Sequence, residues 1–270
     1  MPEGFRYAKL GERKEFYQKE FDLKKLSDYM GFRDISQTVF SCIIARHTGI
    51  YREKYRKLSK SVVLFKDIND LQELRKTLIE YLPEGAYYDR NVYADRSKCS
   101  GCKKLSNCFR CKNFIGQELA FDLDPENVVC PIHGDLAEKM KRMQGLSFCL
   151  YEFEAVRSKA IELCEYLSGI YSDIRVVYSG RGFHVMVLDK ETLYLSYKER
   201  NVLAKKLIMK EMPIDEWVTS GEMRLIRLPY SLHGMVSRIC TPLNPAELER
   251  FDPLKDRRCL PKYLTTSFSQ

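Results

Sequence analysis

Apolar residues recur along the chain with two different periods. Between positions 150 and 168 they return every three or four residues, which predicts a helix that buries one face: Phe153, Val156, Ala160, Leu163 and Leu167. Short apolar or β-branched runs predict strands at 61–65, 86–94, 117–123, 174–178, 183–188 and 224–228. Further helices are predicted at 11–30, 68–82 and 198–212. Because strands and helices alternate without a regular βαβ repeat, we predict an α+β or mixed α/β class, with mixed sheets flanked by helices.

Length and composition are those of a globular protein. The chain has 270 residues, of which 44% are hydrophobic and 30% charged, enough for one large domain that covers 1–270. It lacks a run of about 18 apolar residues, so we expect no membrane span. Residues 1–6 lack the apolar core of a secretion signal, so we expect an intracellular, cytoplasmic protein.

Positive charge is concentrated in two stretches of a chain whose net charge is +8. Six Lys or Arg and one Glu lie within 46–60, and five Lys or Arg with no acid lie within 98–112. Tyr51 and Tyr55 interleave the first stretch. Cations that neutralise phosphates, together with rings that stack on bases, suit a nucleic acid. A solvated helix face explains such clusters equally well.

Two aspartates end the predicted strand at 117–123. Alternate side chains of a strand share a face, so Asp122 and Asp124 project together while the residues between them face the core. Such close carboxylates repel each other unless a cation lies between them, and Mg²⁺ or Mn²⁺ prefers these oxygen ligands. Two ions about 4 Å apart activate a 3′-hydroxyl and stabilise a leaving pyrophosphate. Two acids that merely cap a strand are the commoner explanation of an isolated pair; Asp215 is the candidate third carboxylate.

A glycine-containing turn separates the predicted strands at 174–178 and 183–188. Its two glycines let the backbone approach a ligand closely, and Ser179, Arg181 and His184 offer a hydroxyl, a bidentate cation and an imidazole to a triphosphate. A hairpin with incidental polar residues is the alternative. In the strand at 224–228, Arg224 and Arg227 fall on opposite faces. A buried arginine needs an anion, which is either a bound nucleotide or an acidic side chain.

Together these segments resemble, in order, the motifs of the catalytic small subunit of archaeal and eukaryotic primases. Phe-Asp-Leu-Asp at 121–124 is similar to the first motif, and Val-Tyr-Ser-Gly-Arg-Gly-Phe-His at 177–184 to the second. Pro-Ile-Asp-Glu-Trp-Val-Thr at 213–219, followed by Arg-Leu-Ile-Arg-Leu-Pro-Tyr-Ser-Leu-His-Gly at 224–234, is similar to the third. Glu-Arg-Lys-Glu-Phe-Tyr at 12–17 resembles the N-terminal helix of the family.

The resemblance implies a primase-type catalytic domain and a role for each matching residue. Asp122 and Asp124 would bind both Mg²⁺ or Mn²⁺ ions, and Asp215 would help to hold the ion that activates the 3′-hydroxyl. The triphosphate would be held by Ser179, Arg181, His184, Arg227 and His233. The implied function is that of a DNA primase catalytic subunit, which makes short primers on a DNA template from nucleoside triphosphates. It would be nucleoid-associated and form a heterodimer with a large subunit.

Two alternatives stay open. Only about 30 residues separate His184 from Asp215, where the family carries a much larger helical insertion, so this is a compact version. The shortening favours a primer-dependent repair or end-joining polymerase of the same fold. The other alternative is a non-catalytic, zinc-containing nucleic-acid-binding protein, against which the three carboxylates weigh.

Ten cysteines in an intracellular protein indicate metal sites or buried thiols rather than disulfides. Four have the spacing C-x₂-C-x₅-C-x₂-C and predict a structural Zn²⁺ knuckle within an insert at 97–114: Cys99, Cys102, Cys108 and Cys111. An iron–sulfur cluster or four reduced thiols are the alternatives. The zinc knuckle of the family falls after the Asp pair, where Cys130, His133 and Cys149 are remnants or a second site that lacks an obvious fourth ligand. We expect Cys42, Cys164 and Cys240 to be core thiols and His47 a surface residue.

Overall fold

The structure is a computed structural model that describes residues 1–65, 67–100 and 108–265, without the side chains of 99 and 100. The α-helices are α1 (Leu10–Lys19), α2 (Leu23–Tyr29), α3 (Leu71–Tyr81), α4 (Ser97–Ser100), α5 (Leu136–Lys141), α6 (Leu150–Ser168), α7 (Tyr197–Ile208), α8 (Glu216–Ser220) and α9 (Lys262–Thr265). The strands are β1 (Phe40–Ile43), β2 (Val62–Phe65), β3 (Gly85–Asp89), β4 (Asn91–Tyr93), β5 (Phe114–Gln117), β6 (Leu119–Leu123), β7 (Ile174–Tyr178), β8 (Phe183–Val187), β9 (Leu225–Arg227), β10 (Leu232–His233), β11 (Arg238–Ile239) and β12 (Thr241–Leu243). None of the helices in this described part is long and apolar enough to cross a membrane.

Two four-stranded sheets organise the chain. The first has the order β2-β1-β3-β9 and the second β12-β7-β8-β6, while β4-β5 and β10-β11 form two-stranded ribbons. Their strands pair antiparallel, which confirms the α+β class and corrects the expectation of mixed sheets. Antiparallel neighbours can be joined by a short connection, as β7 and β8 are by residues 179–182.

The second sheet is covered on both faces. Along β6, Leu119, Phe121 and Leu123 pack with the apolar face of α6 in one core cluster. Ala120, on the opposite face of β6, belongs instead to the cluster that joins the first sheet with α1, α2 and α3. Because side chains alternate along a strand, Asp122 is directed to the same side as Ala120, at the end of the layer between the sheets.

Three predicted elements are divided in the structure. The prediction of a single helix at 11–30 is wrong. Asp22 caps the start of a separate helix, α2, by accepting a 3.0 Å hydrogen bond from the N–H of Lys25. The strand predicted at 86–94 becomes β3 and β4, which belong to different sheets. Between them, buried Arg90 donates to the carbonyl oxygens of Glu118, Val218 and Met223. The segment at 117–123 is likewise split between β5 and β6.

Candidate active site

Three carboxylates from two distant segments meet at the end of β6. Asp122 lies in β6, and Asp124 follows it immediately. The N–H of Asp215 donates a 2.9 Å hydrogen bond to the carbonyl oxygen of Asp122, and Ile214 forms a β-bridge with Leu123. The 214–215 segment is therefore held against the strand end by its backbone, and all three acids line one cleft.

The turn 179–182 joins β7 to β8 beside these acids. The N–H of Ser179 donates to the carbonyl oxygen of Gly182 (2.9 Å), and the N–H of Gly182 donates to the hydroxyl of Ser179 (3.3 Å). A Cβ atom at Gly182 would lie 2.0 Å from the carbonyl oxygen of Leu123, so only glycine allows this approach to β6. Gly180 has a φ of +111°, which L side chains rarely adopt.

Arg181, at the tip of this turn, already contacts acidic side chains. Its Nη2 donates to Asp124 Oδ2 (3.1 Å) and to Glu126, and its Nη1 donates to the carbonyl oxygen of Leu146 (2.8 Å). Burial opposes the charged form, but the charges of Asp124 and Glu126 outweigh it and raise the pKa of Arg181. In this state Arg181 is the counter-ion of the carboxylates.

The opposite wall of the cleft is built on the first sheet and on β10. Arg227 pairs in register with Tyr87, stacks on its ring at 4.9 Å from the centroid and donates to its hydroxyl (3.1 Å). His233 lies against the turn, since a Cβ atom at Gly180 would come within 2.7 Å of the imidazole. The two sheets thus present their polar residues to each other across the cleft.

Arg224 serves the fold rather than the cleft. It is buried and forms an ion pair with Asp89 at 2.9 Å, and it also donates to the hydroxyl of Tyr93. The acidic-side-chain alternative therefore holds for Arg224. Arg227 differs, because no carboxylate lies within ion-pair distance of it among the described residues.

Buried polar atoms without partners are directed into the cleft. Asp122 Oδ1, Arg227 Nη1 and His233 Nδ1 are buried and find no hydrogen-bond partner within the described part of the chain. An unsatisfied carboxylate oxygen fits a hard cation, and an unsatisfied guanidinium and imidazole fit an anion. The donor set therefore fits Mg²⁺ or Mn²⁺ beside a phosphate group. The cleft has a volume of about 260 Å³, and its lining includes Arg46, His47, Glu84, Tyr87, Asp122, Asp124, Glu126, Ser179, Arg181, His184, Asp215, Arg227 and His233.

Burial and like charges shift the proton affinities of the site. Burial, followed by the charges of Asp124 and Asp215, raises the pKa of Asp122 well above its ordinary value. Burial lowers the pKa of His184, whose Nε2 lies 3.4 Å from Asp122 Oδ1, to about 3. Burial, with the positive charge of Arg227, lowers the pKa of His233 well below its ordinary value. Both imidazoles are therefore neutral near pH 7.

The lining also includes polar residues that are not among the candidates predicted from the sequence: Arg46, His47, Glu84, Tyr87 and Glu126. Arg46 and His47 are exposed at the edge of the cleft, which agrees with the prediction of a surface position for His47. Glu84 is buried and accepts hydrogen bonds from the N–H groups of His47 (2.9 Å) and Thr48 (2.7 Å). The basic stretch at 46–60 offered a signal for Arg46, whereas nothing in the local sequence marks Glu126.

A second group of potential metal ligands lies at the start of α6. The ligand atoms of Cys130, His133, Cys149 and Glu152 all lie within 4.8 Å of one another. The thiol of Cys130 is 3.4 Å from His133 Nδ1 and 3.8 Å from the thiol of Cys149. Glu152 is the candidate fourth ligand, although its carboxylate already accepts hydrogen bonds from buried Lys139 (2.6 Å) and from the N–H of Cys149 (2.7 Å). Two thiols, an imidazole and a carboxylate suit Zn²⁺.

The predicted knuckle at 97–114 is only partly described. Cys102 and the side chain of Cys99 lie outside the described residues, so the four-cysteine site stays a prediction. Phe109, next to Cys108, packs against Phe114 (ring centroids 4.9 Å apart) and Tyr197 (6.1 Å). The expected core thiols Cys42, Cys164 and Cys240 are buried.

A known protein resembles the chain over nearly its whole length. The uncharacterized DNA primase small subunit-like protein of Archaeoglobus fulgidus is 49% identical to it over 268 residues, which cover 98% of this chain and 94% of that protein. The chain belongs to the DNA primase small subunit-like family. This membership confirms the resemblance drawn from the ordered motifs.

More distant relatives are named DNA primase small subunit PriS. The DNA primase small subunit PriS of Pyrobaculum calidifontis is 27% identical over 231 residues, which cover 70% of this chain and 69% of that protein. The PriS of Thermococcus onnurineus is 26% identical over 237 residues, which cover 85% of this chain and 60% of that protein. No protein-family model matches the chain. The polymerase domain of Mycobacterium tuberculosis Ligase D in complex with DNA, a solved structure, has a TM-score of 0.49 and 16% identity, and the match covers 94% of this chain and 88% of that one.

Proposed function

We propose that this family member is a DNA primase catalytic subunit, which synthesises short primers by template-directed, two-metal nucleotidyl transfer. One observation carries the proposal. Asp122, Asp124 and Asp215 converge beside the turn 179–182, with a buried oxygen of Asp122 that lacks a hydrogen-bond partner among the described residues. Clustered acids of this kind repel one another unless a cation is held between them, and this cost argues for a metal-dependent function.

The proposed roles follow from what each side chain can offer. When bound between the carboxylates, Mg²⁺ or Mn²⁺ activates the 3′-hydroxyl and neutralises charge on the leaving pyrophosphate. Arg227 offers an unsatisfied donor to the triphosphate, and neutral His233 offers a ring nitrogen that donates in the Nδ1–H tautomer. Ser179 in the turn and His184 in β8 line the same cleft and would approach the triphosphate from the second sheet. The chain acts by positioning and by charge neutralisation, so no covalent intermediate is needed.

The role of Arg181 needs an adjustment. Its guanidinium is engaged by Asp124 and Glu126. For Arg181 to hold the triphosphate, it has to share its N–H groups with these carboxylates or leave them. A guanidinium has five N–H donors, so a shared arrangement is possible without breaking both ion pairs.

A primer-dependent repair or end-joining polymerase is the second candidate. The observation that favours it is the short connection between β8 and Asp215, which consists of a 3₁₀ turn at Lys190–Tyr194 and the single helix α7. The two functions use the same carboxylates but differ in whether a nucleotide chain can start without a primer.

A template-dependent incorporation assay tests the proposal. The full chain is given single-stranded DNA with and without an annealed primer, ribo- or deoxyribonucleotides, and Mg²⁺ or Mn²⁺. We expect products without a primer, lost in Asp122→Asn and retained in Asp28→Asn, which removes an exposed surface carboxylate. Extension only of a primer would assign the repair function. DNA binding without any incorporation would indicate a non-catalytic binding protein and overturn the proposal.

We further propose a structural Zn²⁺ at Cys130, His133, Cys149 and Glu152, supported by the mutual distances of their ligand atoms. The spacing of the cysteines in 97–114 supports a second Zn²⁺ there.

The basic residues of the insert at 97–114 make it a proposed DNA contact. A primase large subunit is the proposed partner in a heterodimer.

A further inference from the structure

The acidic residue Glu126 has no role in the function proposed above, although it lines the candidate site. It follows Asp124 by two positions and starts no strand or α-helix. Its carboxylate lines the same cleft as the three aspartates. The nearest cation to it is Arg181, whose Nη2 donates to both Glu126 and Asp124.

The buried position of Arg181 makes its charge depend on nearby acceptors. The side chain of Arg181 is only 6% exposed, against 20% for Asp124 and 27% for Glu126. A buried guanidinium is satisfied by carboxylates or by several carbonyl oxygens, and Arg181 has one carbonyl acceptor, that of Leu146, beside its two carboxylates. If Asp124 were the sole carboxylate partner of Arg181, the guanidinium would form its ion pair with an oxygen that the proposed metal site needs. Bound guanidinium and metal ion would then compete for one ligand.

We propose that Glu126 is a positioning residue that holds Arg181 and so leaves Asp124 available to a divalent cation. When Asp124 turns to a cation, Arg181 keeps Glu126 as its counter-ion and the carbonyl oxygen of Leu146 as a second acceptor. Without Glu126, Arg181 would remain on Asp124 and weaken cation binding. The inference rests on the proposed function, because it assigns Asp124 to the metal site.

Binding of Mn²⁺ to the metal-free full chain tests the inference without relying on activity. Free Mn²⁺ is measured by electron paramagnetic resonance during titration of the wild type, Glu126→Gln and the control Glu162→Gln. Glu162 is an exposed carboxylate paired with Lys159 at 2.8 Å on α6, so the control removes a paired charge far from the cleft. We expect Glu126→Gln to weaken Mn²⁺ binding roughly five-fold or more and the control to change it little.

A double-mutant cycle separates action through Arg181 from direct contact with the ion. In an Arg181→Gln background, Glu126→Gln should no longer weaken Mn²⁺ binding, because the competing cation is gone. An equal loss in both backgrounds would make Glu126 a direct ligand and overturn the inference. Should Arg181→Gln not fold, Asp124→Asn serves as the background, where the effect of Glu126→Gln should again disappear.

Two further outcomes are decisive. If Glu126→Gln lowers the melting temperature of the metal-free chain while Mn²⁺ affinity is unchanged, Glu126 has only a structural role and the inference fails. If wild-type Mn²⁺ binding does not depend on Asp122, the proposed function fails instead. The Asp122→Asn variant, titrated in the same way, distinguishes these two failures.

Discussion

The backbone N–H of Asp215 donates a 2.9 Å hydrogen bond to the carbonyl oxygen of Asp122. This bond joins residues far apart in the sequence and places the third carboxylate beside the first. The side chain of Asp215 also accepts a 2.8 Å hydrogen bond from the N–H of Trp217, which fixes its position at the start of α8. The geometry of the three acids is thus set largely by main-chain contacts, and substitutions that preserve shape should leave it intact.

Asp215→Asn tests the proposed role of charge at this position. The amide keeps an oxygen that can cap α8, but it removes one negative charge from the proposed cation site. We expect single-nucleotide incorporation to fall by about 10²–10⁴-fold, because a weakened metal site forfeits several kcal/mol of transition-state stabilisation. Circular dichroism and thermal unfolding should stay close to wild type. Activity within about threefold of wild type would remove Asp215 from the site.

Arg227→Ala should act mainly on nucleotide affinity. Its Nη1 is buried and lacks a hydrogen-bond partner in the described part of the structure, as expected for a group that binds an anionic ligand. A hydrogen bond from a charged group contributes about 1.5–3 kcal/mol, so we expect the Kd for nucleoside triphosphate to rise about 10–100-fold by calorimetry. Tyr87→Phe keeps the ring under Arg227 and removes only the 3.1 Å contact, so its effect should be smaller. Unchanged nucleotide affinity in Arg227→Ala would contradict the triphosphate role.

His184 should contribute a pH-dependent part of stability. Burial lowers its pKa to about 3 from an ordinary value of 6.5, so the unfolded chain binds this proton more readily than the folded chain. The contribution of neutral His184 to the free energy of unfolding is therefore complete above about pH 6.5 and decreases as the pH falls toward 3. Between pH 8 and pH 5 the metal-free chain should lose about 2 kcal/mol of unfolding free energy through His184.

Urea unfolding in the presence of a chelator measures that loss. The difference in free energy of unfolding between wild type and His184→Asn should shrink by this amount from pH 8 to pH 5, because the variant lacks the titrating group. Other titrating groups are common to both chains and largely cancel. A difference that does not change with pH would show that His184 is not held neutral.

Cys130→Ser should remove one bound metal ion. The four candidate ligands lie within 4.8 Å of one another, so the loss of one thiolate leaves an incomplete tetrahedral set. Mass spectrometry of metal content should give about one zinc fewer per chain than wild type, with lower thermal stability. Cys164→Ser, which alters a buried thiol elsewhere on α6, is the control and should keep the metal.

Cys102→Ser addresses the predicted knuckle in the same assay. If both clusters bind zinc, each variant loses one ion and the double variant loses two. Wild-type metal content in Cys102→Ser would dismiss the site at 97–114, and wild-type content in Cys130→Ser would dismiss the site beside α6.

Arg13→Ala should destabilise the fold near the cleft. Arg13 in α1 is fully buried, and it donates to the carbonyl oxygens of Ala8, Ile44, Ile50 and Leu82. Its removal leaves several buried acceptors unsatisfied and a cavity, so we expect the free energy of unfolding to fall by about 3–5 kcal/mol. Chemical denaturation measures this loss; a change below about 1 kcal/mol would contradict it.

Local patterns predicted the elements whose shape depends on neighbours in the sequence. The helix at 150–168 and the strands that flank the turn 179–182 have nearly the predicted bounds, because a repeating apolar face and a glycine turn act over a few residues. The helix predicted at 11–30 is divided in the structure, because Asp22 caps the start of α2 within a broadly helical pattern.

The spacing of Asp122 and Asp124, the glycine turn and the family that the order of the motifs indicates can all be read from the chain alone. Which side chains meet these residues depends on the folded structure. Asp215 is held beside Asp122 by the adjoining β-bridge of Ile214 with Leu123, Glu126 shares Arg181 with Asp124, and Glu152 lies beside the cysteine–histidine group. Periodicity tells which face of an element is polar. It carries no information on which distant polar face lies opposite, because that depends on how strands pair and sheets stack.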